Sequence, residues 1–415
     1  MERKTMSDLR PAVPHVRRTF AVAAVVAVVF LVVWLAQSEF VFVTEEQNGD
    51  LKTSSYTLKE DAFDHPRLQL LRSREKLDEV TAGARTEFQA ALRLRAWAHR
   101  QWQTGGPFHY PPWDAVEILD LARQNDNRGF CAQYAVVFLQ ACQSMGIHAR
   151  YVDLSGHFVV AIWSDDFNRW VVMDPTNDLH YERYGIPMRG GEVHRAYVSS
   201  DVAGIEQVDS NGNRRPVTRD DLEHYRLYAI DTAANQLSDP VEVRINGAWT
   251  TLAHADDYRT YPKVGRDQMV VESEFLAWRP AGATGEGETF PQRPQSQNPD
   301  DFRYALNQAV ILLANERLLN RVLKVVLLNP NGPTFQRFQV RSDESKAWVP
   351  APAATIKWLL HPGTNEMRAR IETRDGWTGP AASLRLYYKP PLFASLPAFR
   401  GYVFRTFWHR DAEAG

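Results

Sequence analysis

Cys131, His157 and Asp174 follow one another along the chain at spacings of 26 and 17 residues. A thiol, an imidazole and a carboxylate in this order are the groups that attack on an amide carbonyl requires. The thiolate is the nucleophile, the imidazole moves the proton, and the carboxylate fixes the tautomer and stabilises the imidazolium. Each residue has an ordinary explanation when taken alone. A cysteine at a helix start is commonly a small buried hydrophobe. His157 can be a satisfied strand histidine, and Asp174 before Pro175-Thr176 can be a turn former. Their conjunction is far more specific than any one of them.

The elements that must position these groups can be read locally. Tyr134, Ala135, Phe138, Leu139, Cys142 and Met145 recur at three and four residues, which predicts a helix from Cys131 to Met145 with Gly146 as its stop. Cys131 then sits at the positive end of the helix dipole, which favours thiolate. His157–Trp163 and Trp170–Asp174 read as strands joined by a hairpin loop over Ser164–Arg169, after a short segment at Ala149–Leu154. Because His157 opens one strand and Asp174 closes the other, an odd cross-strand residue sum, 331 or 333, puts both on one face. The apolar alternation of Phe158, Val160 and Ile162 against Val171 and Met173 favours an odd sum. One imidazole nitrogen can then meet Asp174 and the other Cys131, provided the hairpin packs beside the start of the Cys131 helix.

The stretches Gly129-Phe-Cys131-Ala-Gln-Tyr-Ala-Val-Val-Phe138 and Met145-Gly-Ile-His-Ala-Arg150-Tyr-Val152 resemble the transglutaminase-like superfamily. So do Gly156-His157-Phe-Val-Val-Ala-Ile-Trp163 and Trp170-Val-Val-Met-Asp174-Pro-Thr176. The resemblance covers about residues 70 to 185 and suggests a bacterial, membrane-anchored member. It implies an α+β, papain-like thiol fold in which a helix bearing the cysteine packs on an antiparallel sheet bearing the histidine and aspartate. It also implies the roles: Cys131 as acyl-accepting nucleophile, His157 as base and Asp174 as orienting acid. Phe158-Val159 departs from the Ala-Trp that many relatives carry after the histidine, which touches the channel wall more than the triad. The Cys131 backbone N–H is one natural oxyanion donor. The resemblance suggests an upstream tryptophan indole as the second, for which Trp102 is the candidate and Gln101 the alternative. A core aromatic is the competing role for Trp102. His180 and Tyr181 lie just past the aspartate motif, where they are expected to line the cleft.

The 415 residues are too many for one ordinary core. The unbroken apolar run Phe20–Ala36, with Thr19 and Gln37 as flanks, is near the length needed to cross a bilayer. Arg3, Lys4, Arg10, Arg17 and Arg18 precede it and Glu39, Glu45, Glu46 and Asp50 follow it. That asymmetry predicts a cytoplasmic N-terminus and an extracytoplasmic, periplasmic bulk. A cleaved signal peptide is the competing reading, against which Trp34 makes a poor cleavage site. The expected segments are a cytoplasmic N-terminus at 1–18, a transmembrane helix at 19–37 and a thiol domain at 38–235. A β-rich extension and linker at 236–300, a β-sandwich at 301–392 and an aromatic, basic tail at 393–415 complete them. Within them, 68–103 reads as mostly helical, Trp113–Arg123 as a short helix, 125–129 as a loop and 182–235 as loops and short helices. Val241, Val243 and Ile245 alternate as a strand before an Asn246-Gly247 turn. Three alternating sets mark the sandwich: Ile356, Trp358 and Leu360; Met367, Ala369 and Ile371; Leu384, Leu386 and Tyr388.

A net charge of −2 gives no bulk attraction for nucleic acid. No HExxH, Cys-x-x-Cys or Gly-rich phosphate loop occurs, so no metal or cofactor is expected. The two cysteines, Cys131 and Cys142, would lie roughly 16 Å apart on one helix, too far for a disulfide. The leading expectation is a thiol enzyme acting on peptide, protein or cell-wall amides at the envelope. Its thioester passes to water in a peptidase or amidase, or to an amine in an acyltransferase. The competing expectation is a non-catalytic binding or scaffolding module in envelope or polysaccharide assembly. A third gives Trp348, Trp358 and Trp377 of the sandwich a sugar-stacking role.

Overall fold

The computed structural model describes residues 14–403 apart from 50–53, 57–62, 106–112, 125–127, 233–236, 238–240, 246–247, 253–265, 272–274, 282–288, 291, 318–320, 344, 394–395 and 397–398. The Asn246-Gly247 turn, most of the loop before Cys131, the first 13 residues and the tail beyond Val403 lie outside the described residues.

The first described element is helix α1 (Pro14–Gln37), whose Phe20–Gln37 segment is long and apolar enough to cross a membrane, with mean hydropathy 2.6. Length and composition of this kind suit a membrane span or a signal sequence. Strand β1 (Ser38–Gln47) follows with no intervening loop. The helical stretch after it is three pieces, α2 (Pro66–Arg74), α3 (Leu77–Thr81) and α4 (Glu87–His99). Lys76 and Gly83 take left-handed backbone between them, and the Thr86 hydroxyl accepts from the Gln89 N–H to start α4 afresh. Helix α5 (Ala115–Arg123) is capped by the Asp114 carboxylate. Helix α6 (Cys131–Ser144) ends as expected at Gly146, whose φ of +74° suits glycine.

Next come β2 (Ala149–Leu154), β3 (His157–Ser164), β4 (Arg169–Asp174), β5 (Leu179–Arg183) and β6 (Ile186–Pro187). Helix α7 (Gly190–Ser199), β7 (Ile205–Asp209), β8 (Arg214–Pro216), a 3-10 segment (Asp220–Arg226) and β9 (Tyr228–Asp231) follow. The stretch 182–235 thus supplies strands as well as a helix, a correction to the loop-rich expectation. These strands are short and polar (Ile205-Glu-Gln-Val-Asp209, Arg214-Arg-Pro216), so their alternation is weak. A small sheet of β10 (Val241–Ile245), β11 (Ala248–Leu252) and β12 (Arg266–Val271) leads to β13 (Phe275–Trp278) and β14 (Gln295–Ser296).

The central sheet has the order β14-β13-β9-β2-β3-β4-β5-β7-β8, with β6 on β5. Both faces of its middle are covered, so β3 and β4 are apolar at successive positions, Val159–Trp163 and Trp170–Met173. Tyr151, Val160, Ile162, Val171 and Met173 meet α4, α5 and α6 on one face. Val152, Val159, Ala161, Trp163, Trp170 and Val172 meet α7 and the 3-10 segment on the other. Fully buried Phe138 of α6 sits in the first core; its truncation to Ala costs about 3–5 kcal/mol.

The C-terminal part holds β15 (Val310–Arg317), β16 (Val322–Leu328), β17 (Phe335–Ser342), β18 (Val349–Pro350), β19 (Thr355–Leu359), β20 (Gly363–Thr373), β21 (Ala382–Lys389) and β22 (Phe399–Val403). A six-stranded sheet, β18-β17-β20-β21-β1-β22, faces a three-stranded one, β15-β16-β19. All three alternating sets read from the sequence lie in the core between them, with Val41 of β1. The structure differs from the expected segmentation here: Ser38–Gln47 joins the sandwich, pairing with β21 and β22, and does not join the thiol domain. Trp358 is core, and Trp377 donates its indole N–H to the Met145 carbonyl at 2.9 Å. Trp348 lies under the Arg341 and Arg370 guanidinium groups. The fold is α+β, as expected: a cysteine-bearing helix on an antiparallel sheet, a sandwich, and one apolar N-terminal helix.

Candidate active site

Cys131 is the first residue of α6, after an extended Phe130 (φ −111°, ψ −164°). The Gln133 side-chain carbonyl accepts from the Phe130 N–H at 3.0 Å, which holds the chain at the helix entry. Gly129 lies against this entry. A Cβ there would stand 2.9 Å from both Trp102 Nε1 and Gln133 Cβ, so only glycine fits. Tyr134, on the same turn, stacks on Trp102 with ring centroids 4.4 Å apart and donates its hydroxyl to the Trp102 carbonyl at 2.8 Å. His99 also stacks on Tyr134, with ring centroids 6.3 Å apart, and donates Nδ1–H to the Thr176 carbonyl at 3.0 Å. A column of rings thus ties the end of α4, the start of α6 and the turn after β4.

On the hairpin, Val160 faces Met173 and Trp163 faces Trp170, the second of the two odd registers. His157 and Asp174 are therefore diagonal partners on one face at one end of the sheet. Their strands extend one residue further at Ser164 and Arg169 than expected. His157 Nε2 donates to Asp174 Oδ2 at 2.8 Å, both side chains being nearly buried at 11% and 7% exposure. Asp174 is held by three further donors: the Thr176 N–H at 2.9 Å, the Asn177 N–H at 3.1 Å and the Asn177 side-chain amide at 2.8 Å. With Nε2 engaged, Nδ1 is the ring nitrogen left for Cys131.

The electrostatics follow from these contacts. Burial works against the His157 charge, but the Asp174 hydrogen bond, and then the Cys131 side chain, raise its pKa to about 10. Burial works against the Asp174 charge too, yet His157 and Asn177 hold its carboxyl below the ordinary value. A carboxylate, an imidazolium and the Cys131 sulfur are thus brought together, an arrangement suited to covalent acyl transfer. Cys142 is fully buried, and burial pushes its thiol well up. Both cysteines are free.

The other expected site residues are placed differently. The Trp102 indole N–H donates to the Gly129 carbonyl at 3.2 Å, so that donor is already engaged and is not presented to an oxyanion. The Gln101 amide donates to the Trp97 carbonyl at 2.9 Å and its oxygen accepts from Arg123 at 3.3 Å. His180 and Tyr181 do not line the cleft; both are buried. His180 Nδ1 accepts from Arg95 at 2.9 Å and its Nε2 donates to Glu182 at 3.1 Å, while Tyr181 packs edge-on against Tyr225. They follow the aspartate closely in sequence, but β5 pairs back onto the sheet and turns them inward.

Three residues at the site carried no sequence signal. Asn177 is a turn residue by type. Arg95, with no exposed surface, pairs with Asp178 at 2.9 Å and places its charge where Asp174 feels it. The His224 ring lies 4.9 Å from that of His157 and is fixed by Nδ1–H donation to the Ser155 carbonyl at 2.9 Å. Among the described residues no cluster of three or more His, Cys, Asp or Glu is placed to hold a metal.

The family model of the transglutaminase-like superfamily matches residues 74–175. This segment is a transglutaminase-like domain. It runs from the last residue of α2 to the residue after Asp174, so Cys131, His157 and Asp174 all lie inside it. No curated protein matches the chain. Among solved structures the chain is similar to red sea bream transglutaminase at 11% identity, over 78% of this chain and 72% of that one, with a TM-score of 0.21. It is also similar to a "putative protease" of Parabacteroides distasonis at 10% identity, over 78% of this chain and 53% of that one, with a TM-score of 0.19. The chain therefore spans about half the length of the second.

Proposed function

We propose that this chain is a thiol enzyme that opens amide bonds of peptides or proteins through a thioester on Cys131. The observation that carries the reading is the His157–Asp174 contact of 2.8 Å, with Cys131 acting on the same ring. With its proton residing on His157, Cys131 Sγ attacks the amide carbonyl carbon and forms the C–S bond. The oxyanion is met by the Cys131 backbone N–H at the helix start. His157 delivers its proton to the leaving nitrogen as the C–N bond breaks, and an amine or ammonia departs. Water or a second amine then attacks the thioester, gives its proton to His157, and returns the thiolate. Water makes the chain a peptidase or amidase, and an amine makes it an acyltransferase; the same three groups serve both. Phe20–Gln37 anchors the domain in the cytoplasmic membrane with the bulk outside, where cell-wall amides join the substrate class.

The test is labelling by a thiol-directed electrophile across neutral pH. Cys142 is buried, so labelling reads Cys131. Labelling is expected to vanish in Cys131→Ala and to slow about 100-fold in His157→Ala. Equal labelling of wild type and His157→Ala sinks the activated thiol. For topology, protease added outside intact cells is expected to digest residues beyond Gln37; full protection overturns the orientation.

A further inference from the structure

Away from the thiol site, a cleft of about 510 Å³ opens between the β5–β6 turn and α7, lined by Arg169, Arg183 and Arg195 with Tyr184, Ile186 and Glu192. Arg169 begins the strand that Asp174 ends, five residues or roughly 17 Å away, so this cleft is not part of the thiol site. Its charges do not balance. Arg169 and Arg189 share the single carboxylate of Glu192, at 3.3 and 3.0 Å. Arg183 pairs with Asp201 at 3.4 Å. The Arg195 guanidinium makes no hydrogen bond or ion pair among the described residues, although it stands on α7 one turn beyond Glu192. Three cationic side chains and two carboxylates line the space, before Arg189 behind it is counted. Burial first, and then the neighbouring Arg169 charge, hold Arg189 below its ordinary pKa, which shows how closely the cations crowd. The Nε atoms of Arg169, Arg183 and Arg189 are buried and have no hydrogen-bond partner among the described residues. A buried donor without an acceptor is costly, and planar guanidinium groups match carboxylate and phosphate geometry. At the mouth, Tyr184 and Ile186 are exposed at the tip of the turn.

We propose that this cleft binds an oxyanion, a carboxylate or phosphate borne on an apolar or ring-bearing body, between Arg169, Arg183 and Arg195. The oxyanion supplies the missing counter-charge and accepts from the guanidinium groups, while Tyr184 and Ile186 cover the body that carries it. The source is a soluble molecule or a lipid headgroup, and the chemistry at the arginines is the same for both.

The full chain in a neutral detergent is titrated with inorganic phosphate and with succinate, against chloride at matched ionic strength, and thermal unfolding is followed. Saturating oxyanion is expected to raise Tm by about 2–4 °C over chloride. Arg195→Glu should abolish the increment and Arg195→Lys should keep most of it. The Arg195 side chain is exposed and makes no hydrogen bond or ion pair among the described residues, so both variants are expected to fold, and labelling of Cys131 checks that independently. Short-chain phosphatidylglycerol, compared with phosphatidylcholine of the same chain length, distinguishes the sources. A rise with the anionic lipid alone assigns the cleft to a headgroup, and a rise with phosphate or succinate assigns it to a soluble anion. No rise with any of them, or equal rises in wild type and Arg195→Glu, overturns the proposal.

Discussion

The two ends of α6 face two histidines with opposite electrostatics. At its N-terminal end His157 is nearly buried, yet its pKa is raised to about 10. Beyond its C-terminal end His148 is fully buried and lowered to about 3 by burial. His157 meets the Asp174 carboxylate, whereas His148 meets the Thr334 hydroxyl at 3.0 Å and the Phe63 ring at 4.9 Å. Burial opposes the charge at both places, and the partner decides the outcome. The charged end suits chemistry. The neutral end is where the sandwich grips the transglutaminase-like domain, through Thr334 and through Trp377 on the Met145 carbonyl. A Cβ on Gly146 would stand 2.3 Å from Asp375 Cγ, so this contact is close as well as polar.

The comparison breaks most sharply at Asp174. Asp174→Asn removes the charge that separates His157 from His148, and should cut kcat/KM by about 10³–10⁴-fold. The His157 pKa should fall with it, which NMR titration of the ring reads directly. An unchanged ring pKa would mean that Asp174 is not its source.

The next effect is on stability. The unfolded His148 titrates near 6.5 and the folded one near 3, so between these values only the unfolded chain takes up the proton. Stability is therefore intact above the unfolded value and falls as pH drops through that window, by up to about 1.4 kcal/mol per pH unit from this residue. His157 has the opposite sign: its contribution is full below 6.5 and is lost as pH rises towards about 10. Chemical denaturation of His148→Gln should show a shallower acid slope than wild type; parallel slopes would remove His148 as the cause.

Smaller changes sharpen the contrast. Asn177→Ala takes two hydrogen bonds to Asp174 down to one from that residue, and should lower kcat/KM about tenfold with little change in KM. Trp377→Phe removes the donor to Met145 and should cost about 1 kcal/mol in unfolding while leaving Cys131 labelling as it was. A large loss of labelling would show that the two ends of α6 are coupled.

What could be read in the sequence was local and periodic. The start of α6, its stop at Gly146 and the shared face of His157 and Asp174 all follow from apolar spacing within a few turns. The supporting shell could not be read that way. Arg95 comes from α4, His224 from a 3-10 segment 67 residues after His157, and neither carries a pattern that marks its partner. Trp102 stacks on Tyr134 of α6, but nothing in the sequence reveals that the Gly129 carbonyl takes its N–H. His180 and Tyr181 were drawn to the cleft by nearness along the chain, which a strand turning inward does not respect.

Strand β1 has a consequence for the order of assembly. It follows the apolar helix directly, yet its partners are β21 and β22, with Glu39 accepting from Tyr388 across 349 positions of chain. During synthesis that strand is made well before β21 and β22, and it waits as an open edge until they exist. The transglutaminase-like domain, whose core lies in between, can close earlier. Losing β21 and β22 would therefore leave the transglutaminase-like domain folded but β1 beside the helix unpaired, an edge open to another chain.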